Sequence, residues 1–247
     1  MMTIEQLPDT FDGAAHRYDL MVALNPGYHR HLRSAADALV EKLPRGEPRV
    51  VDVGCGSGAS TRALLRSFEV AGDRPLVLGV DASTGMLSQA LAKRWPAGVR
   101  FIQGFAQQIG TSRSAWGLTE PVDGVLAAYL FRNVVDTERT EVLADVFDLL
   151  ADDGTLVVQE YSVQGRPVAD LIWTAVCWLV VVPLGLVISG RTALYRYLWR
   201  SVRTFDSVSD FVDRLHAAGF RDVEVKTVLG WQRGILHTFR ARKPAAE

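Results

Sequence analysis

The side chains best placed for chemistry cluster in Asp52-Val53-Gly54-Cys55-Gly56-Ser57-Gly58, which follows an apolar run and precedes helix-forming residues. Glycines at the end of a strand let the backbone approach a ligand, and the next helix turns its positive end to the same place. Gly54-x-Gly56-x-x-Ala59 also satisfies the dinucleotide pattern, and an ordinary strand–helix turn would use the same glycines. Two acids favour S-adenosylmethionine over a nicotinamide. Asp52, just before the glycines, suits a cationic amino group, directly or through water. Asp81 closes the next apolar run, where its carboxylate can accept from both ribose hydroxyls. It lies further on than the ribose acid of dinucleotide folds, which stands roughly 20 residues downstream. Ala82 and Met86, just beyond Asp81, complete this wall. Cys55 reads as a small filler, since no histidine is placed to activate it. His29 and His237 are the candidate bases, because an unperturbed imidazole titrates near neutrality, although a surface or satisfied core position is about twice as common for a histidine. His29 and His31 have no further ligand cluster, so no metal site is expected.

Positioning these residues calls for alternating strands and helices. Strands are expected at Arg49 to Val53, Pro75 to Asp81, Val99 to Gln103, Val122 to Leu130 and Thr155 to Tyr161. Helices are expected at Ala59 to Phe68, after the cap Ser83, at Thr137 to Leu150, and at Val208 to Ala218 after the cap Ser207. Gly104 to Pro121 reads as a long polar loop. Val223 to Val228 and Ile235 to Arg240 form a closing hairpin. The expected fold is α/β, a Rossmann-like mainly parallel sheet with helices on both faces and a C-terminal antiparallel hairpin. It forms a single domain, with a helical cap over 1–45, a cofactor-binding core over 46–161, an apolar lid over 162–204 and the last helix and hairpin over 205–247. The two C-terminal strands resemble the antiparallel hairpin that closes the methyltransferase sheet, a third feature favouring S-adenosylmethionine.

Lys and Arg number 27 against 28 acids, so no basic field argues for nucleic acid. Two cysteines suit a reducing compartment, and no signal peptide is read at the N-terminus, so a cytoplasmic address is expected. Leu171 to Ser189 carries no charge and is long enough for a transmembrane candidate. Spanning would split strands that share a sheet, and Pro183 and Gly185 would interrupt the helix. A greasy substrate tunnel or a peripheral membrane contact through 171–203 remains. Arg191, Arg196, Arg200 and Arg203 follow with no acid before Asp206, which fits an anionic interface. The other reading is a lid packed on its own domain or on the second subunit of a homodimer.

Several stretches resemble the C-methyltransferase family of ubiquinone and menaquinone biosynthesis. They are Phe11-Asp12-Gly13 through Arg17-Tyr18-Asp19-Leu20-Met21, His29-Arg30, Phe131-Arg132-Asn133-Val134, and Tyr195-Arg196-Tyr197-Leu198 with Ser201-Val202-Arg203 and Phe205. Ala218-Gly219-Phe220 and Gly234-Ile235-Leu236-His237 complete the match. The resemblance implies methyl transfer from S-adenosylmethionine to a ring carbon of a prenylated hydroquinone or similar lipophilic aromatic. It sets Arg132 against a developing phenolate, with Asn133 orienting the acceptor and Tyr18 closing over the cofactor. The sequence departs from the family at Gly104-Phe105-Ala106-Gln107, where a polar side chain usually meets the adenine. Here Phe105 can stack on the base, beside Ala106, but cannot accept its amino hydrogen bond. Ala128 replaces the Ser or Thr common before the Arg-Asn pair. Rival functions are an O-methyltransferase on a phenolic or lipid hydroxyl, a non-catalytic cofactor-binding subunit, and a nicotinamide oxidoreductase.

Overall fold

A computed structural model describes residues 27–189 and 192–246. One sheet of seven strands runs through it in the order β3-β2-β1-β4-β5-β7-β6. The strands are β1 (Arg49–Val53), β2 (Leu76–Asp81), β3 (Val99–Gln103), β4 (Val122–Ala128), β5 (Leu150–Tyr161), β6 (Arg221–Thr227) and β7 (Leu236–Arg242). β1 to β5 are parallel, and β7 lies antiparallel between β5 and β6. β1 and β4 read as near-continuous apolar runs because helices cover both of their faces.

On one face pack α1 (Tyr28–Val40) and α2 (Ala59–Ala71), through Leu32, Ala35, Leu39, Leu64 and Phe68. On the other pack α5 (Arg139–Leu149) and α8 (Val208–Ala217), with Phe211 and Leu215 against Phe239 and Phe220. α3 (Thr84–Leu91) starts where the Ser83 hydroxyl accepts from the Met86 N–H. The stretch expected as a loop after β3 instead holds a 3₁₀ turn, Ala106–Gln108, and the short α4 (Ile109–Ser112). Chain order reverses between β1 and β4, so a crevice opens at the carboxyl ends of those strands.

β4 stops two residues earlier than its apolar run. Tyr129 takes a left-handed conformation (φ 60°), its N–H donates to the Gln159 carbonyl, and the chain turns back at once. Such a backbone is costly for a bulky residue and recurs at functional sites.

The segment after β5 is two helices packed on the sheet. α6 (Pro167–Val187) runs straight through Pro183 and Gly185 rather than breaking there. A π turn at Cys177–Val181, with the Val182 N–H on the Cys177 carbonyl, explains this. The buried stripe Ala169, Trp173, Cys177 steps by four, then by five to Val182, leaving Pro183 facing solvent where its missing donor is tolerated. Gly185 faces inward, where a Cβ would stand 2.2 Å from the ring of Tyr195. That ring belongs to α7 (Ala193–Thr204), which runs back along α6.

Candidate active site at the carboxyl ends of the strands

A cavity of about 330 Å³ opens at the crevice, lined by the loops after β1, β2, β3 and β4 and by the start of α1. Of the residues expected to hold the cofactor, Gly54, Gly56, Ser57, Asp81, Ala82, Met86, Phe105, Ala106 and Ala128 line it. Tyr18 lies outside the described residues.

The loop after β1 is shaped to leave room. Gly54 and Gly56 both have positive φ, and a Cβ on them would approach Leu130 and the Met86 methyl to 3.1 Å. The Gly54 and Cys55 N–H groups donate to the Val80 carbonyl, which ties this loop to the end of β2. Asp81 projects from that strand end. Its Oδ2 accepts from the Gly56 N–H at 2.7 Å and its Oδ1 from the Ser83 N–H at 2.9 Å. The carboxylate is therefore oriented by two backbone donors at the edge of the cavity. Cys55 is buried in this loop at the cavity, and burial with Asp52 and Asp81 nearby pushes its thiol up, which disfavours the thiolate.

Two expectations for this loop need correction. Asp52 does not line the cavity. It is fully buried beneath the loop, and its Oδ2 accepts from the Ser60 hydroxyl at 2.8 Å and the Thr61 hydroxyl at 2.6 Å. Strand alternation explains this: Val53 and Asp52 point to opposite faces, and Asp52 meets the first turn of α2. Burial raises its pKa to about 6 despite those hydroxyls. Gly58 likewise lies off the cavity. It is the left-handed N-cap of α2, and a Cβ there would strike the Trp95 ring at 2.7 Å.

At the wall where the resemblance sets the adenine, Phe105 is half-exposed and able to stack. Gln107, beside it, donates from Nε2 to Glu138 at 3.0 Å, and both line the cavity. The polar partner that Phe105 cannot supply is thus available two residues later.

The opposite end holds the Arg-Asn pair. Arg132 lines the cavity, with Nη1 donating to Glu160 at 2.6 Å and to the Tyr129 carbonyl at 2.8 Å. The Arg132 N–H also donates to Glu160. Its partner is thus the buried end of β5, while the nearer acid in sequence, Asp136, pairs with Arg139 and Arg214. Asn133 donates to the same Tyr129 carbonyl and accepts from the Tyr197 hydroxyl at 3.2 Å, so its amide orientation is set. Burial raises the Tyr197 pKa, keeping it a donor near neutrality.

Neither histidine reaches the cavity. On α1, Tyr28 and Leu32 face it at a spacing of four, and His29, one step round the helix, is exposed beside Arg33 and Arg62 in a separate hollow. His237 is buried in β7, opposite Glu160 in register, and burial lowers its pKa, leaving a neutral ring one strand behind the site.

Sequence reasoning missed Glu160, Tyr28, Tyr129 and Glu138, and cited Tyr197 only for its resemblance. Glu160 had a readable signal: an acid that follows the apolar run Leu156 to Val158 in a central strand needs a buried partner. Tyr129 had none, because its role depends on a backbone conformation.

The ubiE/COQ5 methyltransferase family matches residues 2–243. A demethylmenaquinone methyltransferase of Thermus thermophilus is 32% identical over 214 residues, covering 85% of this chain and 90% of that protein. The ubiquinone/menaquinone biosynthesis C-methyltransferase UbiE of Rhizobium meliloti is 29% identical, covering 90% and 84%. Among solved structures, a phosphoethanolamine N-methyltransferase 2 of Haemonchus contortus in complex with S-adenosyl-L-methionine superposes with a TM-score of 0.64 at 16% identity, covering 99% of this chain and 60% of that one. The [4+2]-cyclase SpnF superposes at 0.67 and 16% identity, covering 99% and 97%. That second likeness shows that the fold alone does not choose the reaction. The sequence match over nearly the whole chain does: the protein belongs to the ubiE/COQ5 methyltransferase family and is an S-adenosylmethionine-dependent methyltransferase.

Proposed function

We propose that the protein methylates a ring carbon of a hydroquinone carrying a hydrophobic tail. The observation that carries this reading is the Arg132 guanidinium, held at the cavity wall by Glu160 and the Tyr129 carbonyl, next to an Asn133 oriented by Tyr197. The relatives are named for quinone substrates, which supports the same acceptor class.

When bound, the cofactor supplies an electrophilic methyl group on a cationic sulfur. The chain's part is to position the acceptor and make its ring carbon electron-rich. A hydroquinone carbon becomes nucleophilic as the adjacent hydroxyl loses its proton. Arg132 stays charged at every accessible pH, so it stabilises the phenolate without acting as base. Its fork is fixed by Glu160, so little reorganisation accompanies charge development. Asn133 fixes the orientation of the acceptor oxygen. Neither candidate histidine lines the cavity, so the group that takes the proton is another one. Tyr28 and Tyr129 stack at 5.3 Å and supply a flat apolar wall for an aromatic ring. Cys55 and Cys177, both buried thiols, fit a cytoplasmic setting.

The test is methyl transfer from cofactor labelled with carbon-13 at the methyl group to a short-chain alkylated hydroquinone, with carbon NMR of the product. A label on a ring carbon is expected. A methoxy carbon would establish O-methylation instead, and absence of label in any hydroquinone would remove this acceptor class.

A further inference from the structure

We infer that the outward face of α6 docks on an anionic bilayer, lying in the interface plane with α7 supplying the cations. A helix covering a globular domain normally turns charges outward. α6 does the opposite. From Leu171 to Val187 it carries no charged side chain, and Leu171, Leu179 and Val187 are 70%, 77% and 82% exposed. By length and composition the helix could cross a membrane, yet its inward stripe is committed to the domain. Ala169, Trp173 and Cys177 are buried in the core, and β5 before the helix pairs with β7 after it. One face only is left for lipid, which is the arrangement of an interfacial helix.

Charge selects the occupant. α7 runs antiparallel beside α6, with Tyr195 over Gly185, Trp199 on Thr174 and Trp178, and Arg203 paired to Asp170. Arg196 and Arg200, one step round from that contact stripe, are exposed and join no salt bridge among the described residues. Trp178 and Trp199 meet edge to face at 5.7 Å, the amphipathic ring type that collects at headgroup level. The whole chain has a net charge of -1, so attraction to anionic lipid has to come from a local patch of this kind. A second copy meeting this surface through the same face would bring arginine against arginine, since Asp170 at its edge is already paired to Arg203.

The inward face of α6, behind the docking face, packs against the wall of the site. Trp173 on α6 stacks on Tyr161 at 5.1 Å, Tyr161 on Tyr129 at 5.2 Å, and Tyr129 lines the cavity.

The experiment is flotation of the full chain with phosphatidylcholine vesicles, with and without phosphatidylglycerol. Binding to the anionic vesicles is expected, weakened by salt. Leu179→Glu with Val187→Glu should abolish it while cofactor affinity and Tm stay at parental values. Arg196→Gln with Arg200→Gln should reduce partition onto anionic vesicles by about fivefold per arginine, the equivalent of about 1 kcal/mol each, and change neutral vesicles little. A parent protein that never floats, or a glutamate variant that floats equally, would overturn the inference. So would light scattering that shows the glutamate pair splitting a dimer with no flotation in the parent. Flotation needs no acceptor, so failure of the proposed chemistry leaves this result readable.

Discussion

At the scale of single residues, two buried charges govern the site in different ways. Arg132 and Glu160 satisfy each other, and removing one partner of a buried pair costs about 3–5 kcal/mol. Arg132→Ala is therefore expected to lose stability and activity together, which says little about catalysis. Arg132→Lys keeps the charge and loses the planar fork. Its kcat should fall by up to roughly 10² with near-normal cofactor affinity, measured by steady-state kinetics and calorimetry. Retained kcat would remove Arg132 from the reaction. Among the described residues, the partners of the Asp52 carboxylate are the Ser60 and Thr61 hydroxyls. Its pKa is raised from the ordinary 3.8 to about 6, so the folded protein takes up a proton that the unfolded chain releases. This contribution to stability is fully present below about pH 4 and is lost as pH rises through about 6, a span worth on the order of 3 kcal/mol. Asp52→Asn should flatten the stability profile of the cofactor-free protein across that window in scanning calorimetry. An unchanged profile would mean that Asp52 is ionised throughout.

At the scale of elements, α6 shows how one turn sets the exposure of a whole helix. The π turn adds one residue to the inward step, and Gly185 then lets the Tyr195 ring lie against the backbone. Gly185→Ala would force α7 away from α6. Overpacking of this kind costs typically about 1–3 kcal/mol. Chemical denaturation should show the lower midpoint with an unchanged slope, and an unaffected midpoint would show that the two helices are not tightly joined. The same reasoning applies to the end of β4, where Tyr129 turns the chain so that Arg132 reaches back to β5.

At the scale of the molecule, the cavity is built by loops from four strands, so its ligand should stabilise the whole sheet. Cofactor at about 100 times its Kd adds about 2.7 kcal/mol, which for a domain of this size raises Tm by roughly 5–10 °C. S-adenosylmethionine should produce that shift and NADH should not, as read by differential scanning fluorimetry. Asp81→Ala should lose most of the shift while keeping the parental Tm without ligand. Loss of the ligand-free Tm as well would make Asp81 a structural residue of the loop.

The sequence alone determined the sheet, its hairpin and the floor of the site. Apolar periodicity, glycines at strand ends and an acid closing β2 are local signals, and each sits within a few residues of what it specifies. It also marked Arg132-Asn133 and the apolar helix. Only tertiary structure decided which side chains face one another. His29 lost its place by one step of α1, Asp52 by the alternation of β1, and Gly58 by the packing of Trp95. Glu160 gained its role because β4 and β5 lie side by side, a pairing between residues far apart in the chain. Local pattern fixes which face an element buries; the register between distant elements depends on the folded sheet as a whole, and the chemistry of this site depends on that register.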